Sequence, residues 1–323
     1  MNKRRLGGSV IEIAPLALGG NVFGWTIDET TSFEVLDRFV AAGFQLIDTA
    51  DVYSRWKPGH VGGESETIIG KWQKRRANRD KIIIATKVGM EMDPDRKGLS
   101  REHILRSVEQ SLVRLQTDYI DLYQSHADDP ATAPEETLET YSELVKQGKV
   151  RVIGASNFTA ERLAQSQAIS KQYAWPTYQS LQPCYNLYER EDYETKLEQH
   201  CLKAGLGVIT YFSLARGFLT GKYRSEIDLA KSPRGKDVKE FLDARGFRIL
   251  ATLDDISAQL NSTPGRVALA WLISRPSITA PIASATSIEH VNDLVSAAHL
   301  FLDSAHIEQL NQASAYGATT QSA

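Results

Sequence analysis

The chain has 323 residues, of which 42% are hydrophobic and 24% charged, and its formal net charge is −3. A slightly acidic chain without long basic runs is not typical of a nucleic-acid binder, so we expect no nucleic-acid partner. Glu12 and Pro15 interrupt the apolar residues that follow the basic start, which predicts neither a signal peptide nor a membrane span. Only two cysteines are present and no CxxC motif, which favours a cytoplasmic location.

Short apolar runs rich in Ile, Val and Leu alternate with longer amphipathic stretches. The runs are PLALGG, FQLIDT, KIIIATK, DYIDLYQSH, VRVIGAS, TYQSLQPCYN, GVITYFS and TAPIAS, and the predicted helices between them include 30–42, 65–75, 100–115, 134–147 and 193–204. Strands that alternate with helices pair in parallel through right-handed crossovers. Eight such repeats, each of about 40 residues, predict an α/β protein with one (β/α)8 TIM barrel domain over 1–323.

Three further features refine this prediction. A doubly wound nucleotide-binding fold would bring a GxGxxG turn after the first strand, and the sequence LALGGNVFGW has none. The stretch RRLGGSVIEI predicts a β-hairpin that turns at Gly7 and Gly8 and closes the bottom of the barrel. Long polar loops at 88–100 and 223–240 leave the C-terminal face, where barrel enzymes keep their active sites.

Four polar side chains follow three neighbouring predicted strands. Asp48 and Tyr53 follow the second strand, Lys87 ends the third and His126 ends the fourth. Each residue alone is also compatible with an ordinary strand end or turn, but parallel strands point their C-terminal ends at one face, so we expect the four to converge. A phenol whose pKa is about 10 becomes a better acid when a cation stabilises its phenolate. Lys87, held by Asp48, would do this, and His126 would orient a carbonyl or share the proton.

Such a set is suited to protonating a carbonyl oxygen during a reduction. No side chain supplies a hydride, so the chemistry requires a nicotinamide cofactor. The sequence therefore predicts an oxidoreductase whose partner is a small-molecule carbonyl substrate.

Five motifs in this order resemble the aldo-keto reductases, in particular the bacterial branch related to the potassium-channel β subunits: IDTADVYS, ATK, YQSH, GKVRVIGASNF and YFSLARGFLTGKY. The resemblance extends over almost the whole chain. It implies NADPH-dependent, reversible reduction of aldehydes or ketones to alcohols, with Tyr53 as the general acid and Asp48, Lys87 and His126 as the rest of a catalytic tetrad. Asp51 is then left as a loop acid that orders the turn.

The resemblance also implies a binding site for NADPH. It assigns the nicotinamide carboxamide to Ser156, Asn157 and Gln179, and the stacking aromatic to Tyr211. It assigns the pyrophosphate loop to Ser213, Leu214, Arg216, Gly217 and Lys222, and the adenosine end to Arg234. After the eighth strand, the resemblance assigns further adenosine contacts to Ser284, Thr286 and His290, but the sequence SATSIEHVNDL departs from the family pattern at these three positions and at Leu294. These departures weaken the choice of NADP over NAD, whereas Lys222 and Arg234 favour NADP as partners for a 2′-phosphate.

Two other functions remain open at this stage. The channel-subunit resemblance permits an NADP(H)-binding regulatory or partner subunit with slow turnover. A barrel metalloenzyme would use His103 and His126 with carboxylates, but no two histidines have metal-ligand spacing, and we expect no metal site. The sequence leaves the substrate open, because Trp25 and Trp56 favour an apolar or aromatic carbonyl compound whereas Arg55, Lys57 and His60 leave room for an anionic or sugar-like one. It leaves the oligomeric state open as well.

Overall fold

The computed structural model describes residues 2–317 and begins with an antiparallel hairpin. Strands β1 (Arg4–Arg5) and β2 (Glu12–Ile13) pair, and the chain turns between them at Gly7, whose φ is +58°. A Cβ at Gly7 would overlap the backbone carbonyl of Gln179 at the start of a barrel strand. Glycine permits both this φ and this close approach. The hairpin therefore closes the N-terminal end of the barrel, as the sequence predicted.

Eight parallel strands form the closed barrel, which confirms the predicted (β/α)8 fold. They are β3 (Ala17–Gly19), β4 (Leu46–Asp48), β5 (Ile83–Val88), β6 (Ile120–Ser125), β7 (Val150–Ser156), β8 (Ser180–Gln182), β9 (Gly207–Thr210) and β10 (Ala280–Ala283). Each strand pairs with the next along the chain, and β10 pairs with β3. The inner core consists of small and aliphatic side chains from the strands, packed on Leu6, Ile11 and Ile13 of the hairpin.

Helices surround the barrel and pack on its outer face. They are α1 (Glu29–Ala41), α2 (Glu64–Arg76), α3 (Arg101–Leu115), α4 (Pro134–Lys146), α5 (Ala160–Tyr173), α6 (Glu198–Ala204), α7 (Ala244–Gln259), α8 (Pro264–Ser274), α9 (Ile288–Ala297) and α10 (Ser304–Ala313). Side-chain N-caps mark several starts, among them Asp28, Ser100 and Thr159, each of which accepts a backbone N–H from the first turn. The stretch predicted as one helix at 193–204 is a π-helical turn, Tyr193–Leu197, followed by α6. Within residues 2–317, no helix is both long and apolar enough to cross a lipid bilayer.

The long loop after β9 is more ordered than its polar sequence suggested. It contains 3-10 turns at Ala215–Thr220, Glu226–Lys231 and Gly235–Phe241. Val238 and Phe241 are buried and anchor the loop on the barrel. The loop therefore follows a defined course over the C-terminal face, where all eight barrel strands end.

Candidate active site

Four polar side chains meet at the C-terminal ends of β4, β5 and β6. Lys87 on β5 is fully buried. Its Nζ donates to the Asp48 carboxylate at 2.7 Å, to the Thr49 carbonyl at 2.8 Å and to the Tyr53 hydroxyl at 3.3 Å. These bonds use all three N–H donors of the ammonium. The Tyr53 and His126 rings lie edge to face with centroids 5.9 Å apart, so the structure brings the four predicted residues together.

Two glutamines in the barrel lumen complete the surroundings of Asp48. Its Oδ1 accepts a hydrogen bond from Gln182 Nε2 at 2.9 Å, and Gln124 Nε2 lies 3.5 Å away. A buried carboxylate requires such partners because its desolvation is otherwise costly. Asp48 is therefore fixed as the counterion of Lys87. The sequence analysis missed both glutamines, although each is a polar residue near the end of an apolar strand, in LYQSH and in SLQP.

The protonation states of these groups are set by burial and by Lys87. Burial raises the pKa of the Tyr53 phenol, and the Lys87 ammonium opposes this rise without cancelling it. Burial, assisted by the positive charge of Lys87, lowers the pKa of His126 well below its usual range. Burial also acts to lower the pKa of Lys87 itself, but the charges of Asp48 and Tyr53 outweigh it and the net shift is upward. At neutral pH the site therefore combines an ammonium, a neutral imidazole and a protonated phenol.

A second polar group lies beside the tetrad, at the ends of β7 and β9. Ser156 Oγ donates to the Gln182 carbonyl at 2.8 Å, and Asn157 Nδ2 donates to the His126 carbonyl at 2.9 Å. The Tyr211 hydroxyl donates to Asn157 Oδ1 at 2.8 Å. Asn157 has a φ of +56°, a left-handed conformation that asparagine tolerates well. Ser156, Asn157 and Tyr211 thus form one connected network at the edge of the tetrad.

The tight segment after β9 contains the residues expected at the pyrophosphate: Ser213, Leu214, Arg216, Gly217 and Lys222. Arg216 and Gly217 have φ values of +53° and +97°, so the backbone reverses sharply there. The Arg216 guanidinium lies 3.4 Å from Glu189 and 3.3 Å from Glu240, which neutralise its charge. Lys222 folds against Gly217, is exposed, and has no acidic partner within residues 2–317. Of the two cations, only Lys222 presents an uncompensated charge.

The three residues expected at the adenosine end follow β10. Ser284 Oγ donates to Asn21 Oδ1 at 2.6 Å, which links the ends of β10 and β3. Thr286 Oγ1 lies 3.0 Å from His290 Nδ1, across the first turn of α9. The start of α9 therefore presents hydroxyl and imidazole groups, with no lysine or arginine in residues 284–290.

Comparison with known proteins decides the family. The model of the Aldo/keto reductase family matches residues 15–315. The chain belongs to the aldo/keto reductase family. The uncharacterized oxidoreductase YrpG of Bacillus subtilis (strain 168) is 34% identical over 95% of this chain and 94% of its own length. Aldo-keto reductase YhdN of the same organism is 35% identical over 83% of this chain and 78% of its length. Protein tas of Escherichia coli (strain K12) is 30% identical over 98% of this chain and 100% of its own length.

Membership fixes the general chemistry of this aldo/keto reductase. Proteins of the family are oxidoreductases that reduce carbonyl compounds with a nicotinamide cofactor. A tetrad at the C-terminal face, next to a polar network and the sharp turn at Gly217, is an arrangement suited to that chemistry. Within residues 2–317, no cluster of three His, Cys, Asp or Glu side chains has a metal-site arrangement. His103 lies on α3, where its Nε2 is 3.4 Å from Ser107 Oγ.

The structure contradicts the prediction for Gln179. This residue precedes β8, at the N-terminal end of the barrel, and its Nε2 donates to Thr177 Oγ1 at 2.7 Å. Gln182, three residues later, ends β8 on the tetrad side and pairs in register with Ser156. The reason is geometric, because β8 is only three residues long and the two glutamines stand at its opposite ends. Gln182, and not Gln179, therefore lies on the tetrad side of β8.

Arg234 lies in the loop after β9, which reaches the residues that follow β3. Its guanidinium lies 5.0 Å from the centre of the Trp25 ring, and its charge opposes the rise that burial causes in the pKa of Tyr53. The role expected of Arg234 at the adenosine end stays a prediction. Trp25 in turn meets Trp56 edge to face, with ring centroids 5.5 Å apart. The two tryptophans form one apolar wall, and Trp56 packs on Tyr53 at 5.5 Å.

Proposed function

We propose that this protein reduces aldehydes or ketones to alcohols with NADPH and that Tyr53 donates the proton. The observation that carries the proposal is the Lys87 ammonium, which contacts both the Asp48 carboxylate and the Tyr53 hydroxyl. A cation in that position stabilises the phenolate as the proton leaves, which is what a phenol needs to act as an acid. The reaction is reversible, because the same phenolate accepts a proton from an alcohol.

In this proposal, the substrate oxygen is bound by His126 and Tyr53, whose ring centroids lie 5.9 Å apart. The neutral imidazole of His126 donates a hydrogen bond to the carbonyl and orients it toward Tyr53. Of the two roles expected from the sequence, orientation fits better than proton sharing, because burial strongly disfavours a charged His126. The Trp25 and Trp56 wall favours aromatic or other apolar carbonyl compounds.

The residues around the tetrad fit a nicotinamide dinucleotide. We assign the nicotinamide carboxamide to the amide of Asn157 and the hydroxyl of Ser156, which are hydrogen-bonded to each other, and the stacking role to the partly buried ring of Tyr211. The uncompensated Lys222 next to the Gly217 turn suits a phosphate. When bound, the cofactor supplies the hydride. The protein's own contribution is orientation, a fixed ammonium and a proton on Tyr53.

We expect Lys222→Ala to discriminate between NADPH and NADH. If Lys222 contacts the 2′-phosphate, the variant should bind NADPH about tenfold or more weakly while its affinity for NADH changes little. Fluorescence titration with each cofactor measures both dissociation constants. Lys236→Ala, which removes another exposed lysine of the same loop, is the control. Equal weakening of both cofactors would assign Lys222 to the shared pyrophosphate instead.

The proposed activity is tested by NADPH consumption with a nitro-substituted benzaldehyde as substrate. Steady turnover that ends with the alcohol as product supports the reductase. Tight binding of NADPH without turnover of several aldehydes and ketones would contradict it and favour the regulatory or partner subunit. The two functions share the barrel and the cofactor, so only turnover separates them.

A further inference from the structure

Asp51 is a buried carboxyl group directly behind the tetrad. It is 1% exposed, and its backbone N–H donates to the Lys87 carbonyl at 3.2 Å. Neither carboxyl oxygen has a hydrogen-bond partner among the described residues. The backbone amide of Val52 favours the ionised form of Asp51 but does not reach hydrogen-bonding geometry. The Asp51 side chain therefore does not order the turn through hydrogen bonds, contrary to the expectation from the sequence.

The neighbouring charges are already paired with one another. On α2, the fully buried Glu66 accepts from Thr86 Oγ1 at 2.6 Å and from Arg114 Nε at 2.7 Å. Arg114, on α3, also donates from Nη2 to Ser111 Oγ at 3.2 Å. On β5, the Lys87 ammonium is saturated by Asp48, Thr49 and Tyr53. Each nearby cation thus has its own carboxylate, and Asp51 is the third carboxyl group beside two cations.

Two titratable groups near Asp51 are the phenols of Tyr123 and Tyr141. Tyr123 on β6 and Tyr141 on α4 are fully buried, and burial raises the pKa of both well above the usual range. The Tyr123 hydroxyl has no hydrogen-bond partner among the described residues, whereas the Tyr141 hydroxyl lies 2.9 Å from Ser125 Oγ. Neutral phenols do not compensate a negative charge. An unpaired carboxylate in this position would therefore be strongly disfavoured.

We propose that Asp51 is a neutral, protonated carboxylic acid in the folded protein at neutral pH, and that its ionisation at alkaline pH switches off proton donation by Tyr53. A charged Asp51 behind Lys87 would offset the positive potential that stabilises the Tyr53 phenolate. The free energy needed to remove the proton from Tyr53 would then be higher. Asp51 acts through Lys87 and does not touch the substrate, so it is a positioning residue for the reaction proposed above, on which this inference rests.

The pKa of Asp51 is shifted in the direction that this geometry predicts. Burial, together with the charge of Glu66, raises the pKa of Asp51 to about 8 against partial opposition from Arg114 and Lys87. In the unfolded chain the carboxyl group loses its proton at about pH 4. Between these two values the unfolded state binds fewer protons than the folded state, so ionisation of the unfolded chain lowers the stability of the fold as the pH rises.

The first test follows protein stability and needs no substrate. Urea unfolding of the wild type and of Asp51→Asn is measured from pH 5 to pH 9. We expect the two proteins to diverge as the pH rises, with the wild type losing stability relative to the variant and the difference levelling off near pH 8. Asp118→Asn, which removes an exposed carboxylate, is the control and should follow the wild type. Parallel curves for wild type and Asp51→Asn would overturn the neutral state of Asp51.

The second test follows Tyr53. The near-ultraviolet absorbance of the phenolate, taken as the difference between each protein and its Tyr53→Phe counterpart, gives the titration of this residue. In Asp51→Asn we expect Tyr53 to titrate on the order of one pH unit lower than in the wild type, the typical effect of removing a neighbouring negative charge. An unchanged titration would overturn the coupling to Tyr53.

The third test is kinetic. The alkaline decline in kcat for aldehyde reduction should move to higher pH in Asp51→Asn. It should move to lower pH in Glu66→Gln, because Arg114 is then free to stabilise ionised Asp51. Identical pH profiles would contradict the switch. A protein that reduces no carbonyl compound at any pH would contradict the proposed function. The unfolding experiment would still test whether Asp51 is protonated, and the Tyr53 titration would still test whether its charge affects Tyr53.

Discussion

Replacing Tyr53 by phenylalanine is expected to reduce the rate of carbonyl reduction by about two to four orders of magnitude, the usual contribution of a positioned general acid. The variant loses only the hydroxyl that lies 3.3 Å from Lys87 Nζ. The ring remains, so its packing on Trp56 and His126 should persist. The effect should fall on kcat, while the dissociation constant for NADPH changes little. Single-turnover kinetics and cofactor titration measure the two quantities.

A matched control for this variant is Tyr173→Phe, which removes a phenol hydroxyl from the exposed end of α5, far in sequence from the tetrad. It should leave both kcat and NADPH affinity unchanged. Near-normal turnover in Tyr53→Phe would show that another group donates the proton. His126, the remaining polar ring beside the substrate position, would then be the next candidate.

The barrel could be predicted because the apolar runs of its strands and the amphipathic pattern of its helices are short-range features that repeat along the chain. Each apolar run that precedes a polar end became a strand, and the helices predicted at 30–42, 65–75, 100–115 and 134–147 match α1 to α4 within one or two residues. The convergence of Asp48, Tyr53, Lys87 and His126 follows from the same rule, since parallel strands present their C-terminal ends at one face.

Other features of the site depend on facts that a single sequence does not contain. TYQSLQPCYN contains two glutamines, and the choice between Gln179 and Gln182 requires knowing where a three-residue strand begins. The course of a long loop decides the place of Arg234, because its contact with Trp25 joins segments that are far apart in sequence. Asp51 shows a third limit, since only the packed structure reveals that its carboxyl group is buried without a partner.

Replacing Lys87 by methionine is expected to abolish measurable turnover and to destabilise the fold by about 3–5 kcal/mol at neutral pH. Asp48 would remain buried and negatively charged without its ammonium partner, supported only by Gln182 and Gln124. Urea unfolding gives the free energy of unfolding. Lys71→Met removes a lysine from an exposed ion pair with Glu29, whose side chain is 47% accessible, and should change stability little.

The pH dependence and a double variant separate this charge effect from simple loss of packing. Asp48 in the Lys87→Met protein should hold a proton more readily than in the unfolded chain, so the destabilisation should shrink as the pH falls toward 4. Asp48→Asn combined with Lys87→Met should recover much of the lost stability without recovering turnover, because it removes the uncompensated charge but not the need for a cation beside Tyr53. Equal destabilisation of the single and double variants at all pH values would show that Lys87 contributes mainly by filling space. In that case the ion pair would not be the source of the stability.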